Sequence, residues 1–204
     1  MERAAHWNRV YTSKGEREVS WFEPQPTVSL EMLEAAGMTT SSCVLDVGGG
    51  DSRLVDALTA RGLRCLAGLD VSGAALERAR ARLGPAASIP TWIEADVTGE
   101  WTVQPMDIWH DRAVFHFLTS SEDRAAYARH LLDILRPGGH AIIATFGPDG
   151  PEKCSNLPVQ RYTPASLLAA LGPHFELVEA RAHVHTTPWG SPQSFQYSHL
   201  RRLA

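Results

Sequence analysis

The chain has 204 residues, of which 44% are apolar and 21% charged, with a formal net charge of -4. That is enough for one α/β domain with a full core, and it excludes general disorder. The two signs of charge are interspersed, so the composition predicts no nucleic-acid footprint, and the lack of an eighteen-residue apolar span predicts no membrane partner.

Residues 1–40 precede the first core strand and are expected to form an N-terminal helical cover on a domain spanning 41–204. Glu2 to Tyr11 reads as a short helix with Trp7 and Tyr11 on one face. Trp21 and Phe22 follow in an aromatic stretch, and Pro24 and Pro26 lead into a helix over 27–36. These four aromatics either pin the leader to the core or close over a ligand, and both readings are compatible.

Cys43 to Val47 has the length and composition of a buried parallel strand. Gly48, Gly49 and Gly50 break it, and Leu54, Val55, Ala57 and Leu58 then recur at helical spacing. A strand, a glycine turn and a helix place free backbone N–H groups against a ligand. Asp46 ends the strand where a cationic ligand group would be welcome. A dinucleotide fingerprint requires a third glycine, where Arg53 stands here.

A second strand ends in Asp70-Val71-Ser72, about 20 residues past the turn, where a carboxylate accepts from both hydroxyls of a ribose. Ser72 is placed to cap the helix over 73–83. Arg78, Arg80 and Arg82 read as a solvated helix face. A third strand over 91–95 ends in Asp96-Val97, and a fourth, over 106–111, runs into Asp111, Arg112 and Ala113. A helix over 123–135 leads through Leu135-Arg136-Pro137-Gly138-Gly139 to a fifth strand over 140–146. Residues 147–159 form a loop rich in Gly and Pro. Thr163 and Pro164 open a helix, and two strands over 175–185 and 194–202 finish the chain as a hairpin.

The order of these features resembles the class I S-adenosylmethionine-dependent methyltransferases from about residue 40 to the C-terminus. Asp46-x-Gly48-x-Gly50 is similar to that family's first motif, with Ser52 where a glycine is usual. The L-R-P-G-G turn and the terminal hairpin also match, and the hairpin favours S-adenosylmethionine over NAD. The resemblance implies a Rossmann-like methyltransferase fold, α/β and doubly wound, with a mostly parallel seven-stranded sheet and an antiparallel last strand. It implies S-adenosyl-L-methionine as cofactor, held by Asp46, Val47, Gly48, Gly49, Gly50 and Ser52 at the turn. Asp70, Val71 and Ser72 would take the ribose, Asp96 and Val97 the adenine, and Asp111, Arg112 and Ala113 would line the transfer site.

The leader His6-Trp7-Asn8-x-x-Tyr11, Val19 to Glu23 and Trp109 to Leu118 look like a narrower bacterial group. That group is similar to the lysine methyltransferases of elongation factor 1A and citrate synthase. The acceptor implied is a protein lysine amine. A small-molecule thiol, selenol or other soft nucleophile is the rival, and a non-catalytic S-adenosylmethionine-binding module is the alternative of another class. No Asn/Asp-Pro-Pro-Tyr/Phe motif stands at the fourth strand, which weighs against amide and exocyclic-amine acceptors.

Asp111 and His116 are the candidates for orienting or deprotonating an acceptor, His116 having a pKa suited to proton transfer near neutrality. Each also has a plain structural reading, as a paired carboxylate and a hydrogen-bonded core histidine. Trp7, Tyr11, Trp21, Phe22, His116, His185 and Trp189 are the candidate acceptor contacts. His183 and His185 share a strand face but lack further ligands at metal spacing, so no metal is expected. Cys43, Cys65 and Cys154 are odd in number without C-x-x-C spacing. No disulfide framework or zinc site is expected, Cys43 and Cys65 in their apolar runs read as core thiols, and the chain is expected to be a soluble cytoplasmic protein.

Overall fold

The computed structural model describes residues 2–204. Helices α1 (Glu2–Ser13) and α2 (Thr27–Ala35) precede the first strand, β1 (Cys43–Val47). Alternation then builds α3 (Leu54–Ala60), β2 (Cys65–Asp70), α4 (Gly73–Leu83), β3 (Thr91–Glu94) and β4 (Met106–Arg112). The second half holds α5 (Ser121–Ile134), β5 (Leu135–Phe146), the short pair β6 (Lys153–Cys154) and β7 (Leu157–Pro158), α6 (Pro164–Leu171), β8 (Phe175–Thr186) and β9 (Pro192–Arg202).

Seven strands form one sheet in the order β3-β2-β1-β4-β5-β9-β8. Strand β9 runs antiparallel to both β5 and β8, while the pairs from β3 through β5 are parallel. This is the doubly wound Rossmann-like methyltransferase fold expected from the chain order. Strand order reverses beside β1, so the crevice at the C-terminal ends of β1, β2 and β4 is where such a sheet takes a ligand.

Each face of the sheet carries its own core. Trp109, Phe115, Tyr127, Leu131 and Ile143 pack on one side, and Met32, Leu33, Leu54, Leu58 and Ile142 on the other. Adjacent residues Ile142 and Ile143 enter opposite cores because successive strand side chains alternate.

Local signals hold at several helix starts. The Ser72 hydroxyl accepts from Ala75 N–H, and Thr163 and Ser166 form a reciprocal capping box with Pro164 in the first turn. The L-R-P-G-G segment differs from the expected turn: Leu135 already pairs with Met106. The register then jumps to Ile108 opposite His140, so the intervening residues loop out of a strand that starts earlier. The 147–159 loop contains the β6–β7 pair, closed by Ser155 and Asn156 at positive φ.

Two expectations are corrected. Cys43 and Cys65 are joined by a disulfide, with Cα atoms 4.5 Å apart. The parallel register places them directly opposite each other, a relation that a count of cysteines cannot reveal. Arg82, read as part of a solvated face, is instead largely covered. Its Nε and Nη2 donate to Asp56 at 2.7 and 2.8 Å, and Nη2 also donates to the Ser52 carbonyl at 2.6 Å. It ties α4 to the loop that follows the glycines.

Candidate functional site

The glycine turn is fixed by the sheet beneath it. Gly48 and Gly49 N–H both donate to the Leu69 carbonyl, at 2.7 and 3.2 Å, so the end of β2 holds the turn open. Gly48 has φ +65, and a Cβ there would lie 1.9 Å from Val114 Cγ2. The turn and the segment after β4 therefore meet without room for a side chain. Gly48→Ala should cost about 2–4 kcal/mol through overpacking and left-handed strain. Urea unfolding measures this, and a variant as stable as wild type would contradict the close approach.

Asp46 is 3% exposed. Its Oδ1 lies 2.7 Å from His110 Nδ1, whereas Oδ2 is buried with no hydrogen-bond partner among the described residues. A Cβ on Gly49 would sit 2.7 Å from that oxygen, so only glycine leaves it approachable. A buried carboxylate oxygen without a partner is costly unless a cation or donor completes it.

Asp70, at the end of β2, accepts from Ser72 N–H at 2.8 Å. Burial first, and then the nearby charge of Asp46, push its carboxyl up from the usual range to about 7. Asp96 is drawn upward by burial, but bonds from Thr98 and the charge of Arg3 outweigh this and leave it below its ordinary value.

Two adjoining cavities share Tyr11, Trp21, Gly48 and Arg112. The first reaches Asp70, Val71, Asp96 and Val97, and Ala113 also lines it. The second reaches Asp46, Gly49 and Ser52. Val47, Gly50 and Ser72 stand behind these walls. Ala113 adopts φ +75, a rare conformation for a residue with a Cβ, at the point where β4 turns into the cavity wall.

The aromatic leader closes over this space. Trp7 packs edge-on to Trp21 and Phe117, with ring centroids 5.6 and 5.2 Å apart, and Tyr11 meets Trp21 at 6.1 Å. Asn8 Oδ1 accepts from the Ser72 hydroxyl at 2.7 Å. Arg3 reaches Asp96 and Asp123. The Arg3 side chain is 36% exposed, so those pairs contribute at most ~1 kcal/mol each. The aromatic contacts, at ~0.5–1.5 kcal/mol per pair beyond burial, do more to hold the cover. Phe22 lines the second cavity.

Besides Val47, Gly50 and Ser72, four expected site residues line neither cavity. Asp111 is fully buried on the opposite face. Its Oδ1 accepts from Val114 N–H at 2.8 Å, and its Oδ2 from Phe115 N–H at 3.1 Å and the Tyr127 hydroxyl at 2.7 Å. His116 Nδ1 accepts from Phe146 N–H at 3.2 Å, and burial with the charge of Arg112 lowers its pKa to about 3. His185 is turned to the Ser20 carbonyl at 2.7 Å and Glu23 at 3.3 Å. Trp189 is 58% exposed at the tip of the last hairpin. Strand alternation sends Asp111 away from His110, and the aromatic ring of Phe117, not His116, turns inward.

Arg3, Val114, Phe117, Leu118 and Cys154 line the first cavity without having been singled out by sequence. Burial pushes the Cys154 thiol up to about 11, and its loop, rich in Gly and Pro, gave no signal. His110 and Ser29 line the second cavity.

Residues 45–141 match the family described as "Methyltransferase domain". No curated protein matches the chain by sequence. Among solved structures, it is similar to a protein studied for the conversion of a disulfide bond into a thioacetal group during echinomycin biosynthesis. That likeness has 21% identity and TM-score 0.77, covering 98% of this chain and 93% of the other. The N-methyltransferase NodS from Bradyrhizobium japonicum WM9, in complex with S-adenosyl-l-homocysteine, is 15% identical. Its TM-score is 0.71, with coverage of 96% and 97%. The 1,6-didemethyltoxoflavin-N1-methyltransferase of Burkholderia thailandensis is 18% identical, with TM-score 0.68 and coverage of 100% and 85%.

The match to a methyltransferase domain lies within residues 45–141, and the similar solved structures share the fold of the chain, among them one in complex with S-adenosyl-l-homocysteine, the product of the cofactor S-adenosylmethionine. The site fits that cofactor: a bare buried carboxylate oxygen for an ammonium, a second carboxylate at a strand end for a ribose, and a turn that admits no side chain.

Proposed function

We propose that the chain methylates a small, largely apolar molecule at a thiol, selenol or other soft nucleophile. When bound, S-adenosylmethionine supplies an activated methyl group on a sulfonium centre. In this reading Asp46 meets the ammonium of the amino-acid tail, Asp70 meets the ribose hydroxyls, and Val71, Asp96 and Val97 border the adenine. Residues 1–40 act as the cover of a methyltransferase domain spanning 41–204.

The observation that carries the acceptor class is the wall facing it. Trp7, Trp21, Val114, Phe117 and Leu118 offer apolar surface, and the carboxylates nearby are already committed. Asp96 is paired with Arg3, and Glu23 with Arg112 at 2.8 Å. A lysine side chain near pKa 10.4 must lose a proton before it can attack, whereas a thiol near 8.5 needs far less help. With Asp111 and His116 both turned into the core, the protein's contribution is positioning and exclusion of water. Two of the similar structures are described by N-methylation and one by sulfur chemistry, which supports a small acceptor without choosing its nucleophilic atom.

A lysine acceptor, the leading implication of the leader and fourth-strand segments, is the other outcome of the same test. Cell extract incubated with the protein and methyl-tritiated cofactor is fractionated by size. Label in small molecules, enhanced by a panel of aryl and alkyl thiols, is the expected result. Label confined to protein, released as methyl-lysine on hydrolysis, would overturn it. Location in the cytoplasm belongs to this proposal too. No described helix is long and apolar enough to cross a membrane, and the Cys43–Cys65 bond would be exposed to reduction in that compartment.

A further inference from the structure

We propose that His110 is a positioning residue for the cofactor: it turns Asp46 so that one carboxylate oxygen stays bare for the ammonium of the amino-acid tail. This rests on the cofactor reading above and deepens it.

Asp46 and His110 are direct register partners on the neighbouring parallel strands β1 and β4, and both are almost wholly buried. A carboxylate there has no water shell to fix its rotamer, and His110 Nδ1 at 2.7 Å is the partner of Oδ1. An ionised carboxylate only accepts, so Nδ1 must carry the proton between them. Nε2 lies 2.9 Å from the hydroxyl of Ser29 on α2, which can serve it as donor or acceptor. The chain Ser29–His110–Asp46 thus runs from the helix under the cover to the floor of the second cavity, and all three residues line that cavity. It engages Oδ1 and leaves Oδ2 without a partner among the described residues, beside the glycine turn. Had both oxygens been bonded internally, as those of Asp111 are, an incoming ammonium would find no free acceptor.

The test compares two ligands that share a nucleoside and a sulfur but differ in the tail. S-adenosylhomocysteine has the amino-acid group, and 5′-methylthioadenosine lacks it. Titration calorimetry of His110→Phe should show binding of the first weakened about tenfold or more, from loss of a charge-assisted contact. Binding of the second should stay within about twofold. His110→Asn, whose amide reaches from the Nδ1 position, should restore most of the loss. In a double-mutant cycle, His110→Phe added to Asp46→Asn should cost nothing further. Equal losses for both ligands, or losses that add in the cycle, would reduce His110 to packing and overturn the proposal. Wild-type protein that binds neither ligand would overturn the cofactor reading itself, a separate result. Long-range proton–nitrogen spectra of the wild type require no variant to fold. They should show the His110 proton on Nδ1, and a proton on Nε2 alone contradicts the arrangement.

Discussion

Asp111→Ala is expected to destabilise the fold by roughly 3–5 kcal/mol, because it strands three buried donors at once. Val114 N–H, Phe115 N–H and the Tyr127 hydroxyl all converge on that carboxylate, and none has water to turn to. The same bonds secure the corner at Ala113, whose φ of +75 would relax without them. Asp111→Asn keeps an acceptor and should cost less than the alanine variant. Urea melts of the two proteins measure the effect. A variant as stable as wild type that has lost only turnover would restore the catalytic role expected for Asp111 from its place at a strand end.

Asp70→Ala should weaken S-adenosylhomocysteine binding on the order of a hundredfold, since two hydroxyls lose a charged acceptor that nothing adjacent can replace. Unchanged affinity would remove the ribose role. The pH dependence is a sharper signature. The carboxyl titrates near 7 in the folded protein, against an ordinary value of 3.8. Its contribution to stability is therefore complete below the unfolded value and is lost as the pH rises through about 7. Ligand hydroxyls bond the ionised form, so affinity should run the other way and strengthen from pH 6 to pH 8. Asp70→Asn should flatten both trends, in thermal melts without ligand and in calorimetry with it. Affinity that falls across that range would refute the assignment.

Much of the scaffold could be read from local chemistry. Apolar runs ending in Asp46, Asp70 and Asp96, the glycine break and the terminal hairpin each express a short-range rule. Their order specified the doubly wound sheet and its reversed strand. The cavity wall followed as far as the strand ends, because a residue at the C-terminal end of a parallel strand is carried to the crevice whatever surrounds it. Asp111 and His116 were legible as residues but not in orientation. Each stands among others whose alternate faces lead to different cores, and one step along the chain reverses the answer. Arg82 looked solvated because a charged helix face is usually so, and its carboxylate partners lie in another element.

The sequence by itself determined the class of sheet, the glycine turn and the two carboxylates that flank it, since these depend on spacing within one segment. Only the tertiary structure decided which oxygen of Asp46 stays free, that Cys43 faces Cys65, and that Trp7, Trp21 and Phe117 share one wall. Those relations join residues from separate strands and helices, and register and packing, with no trace in local periodicity, bring them together.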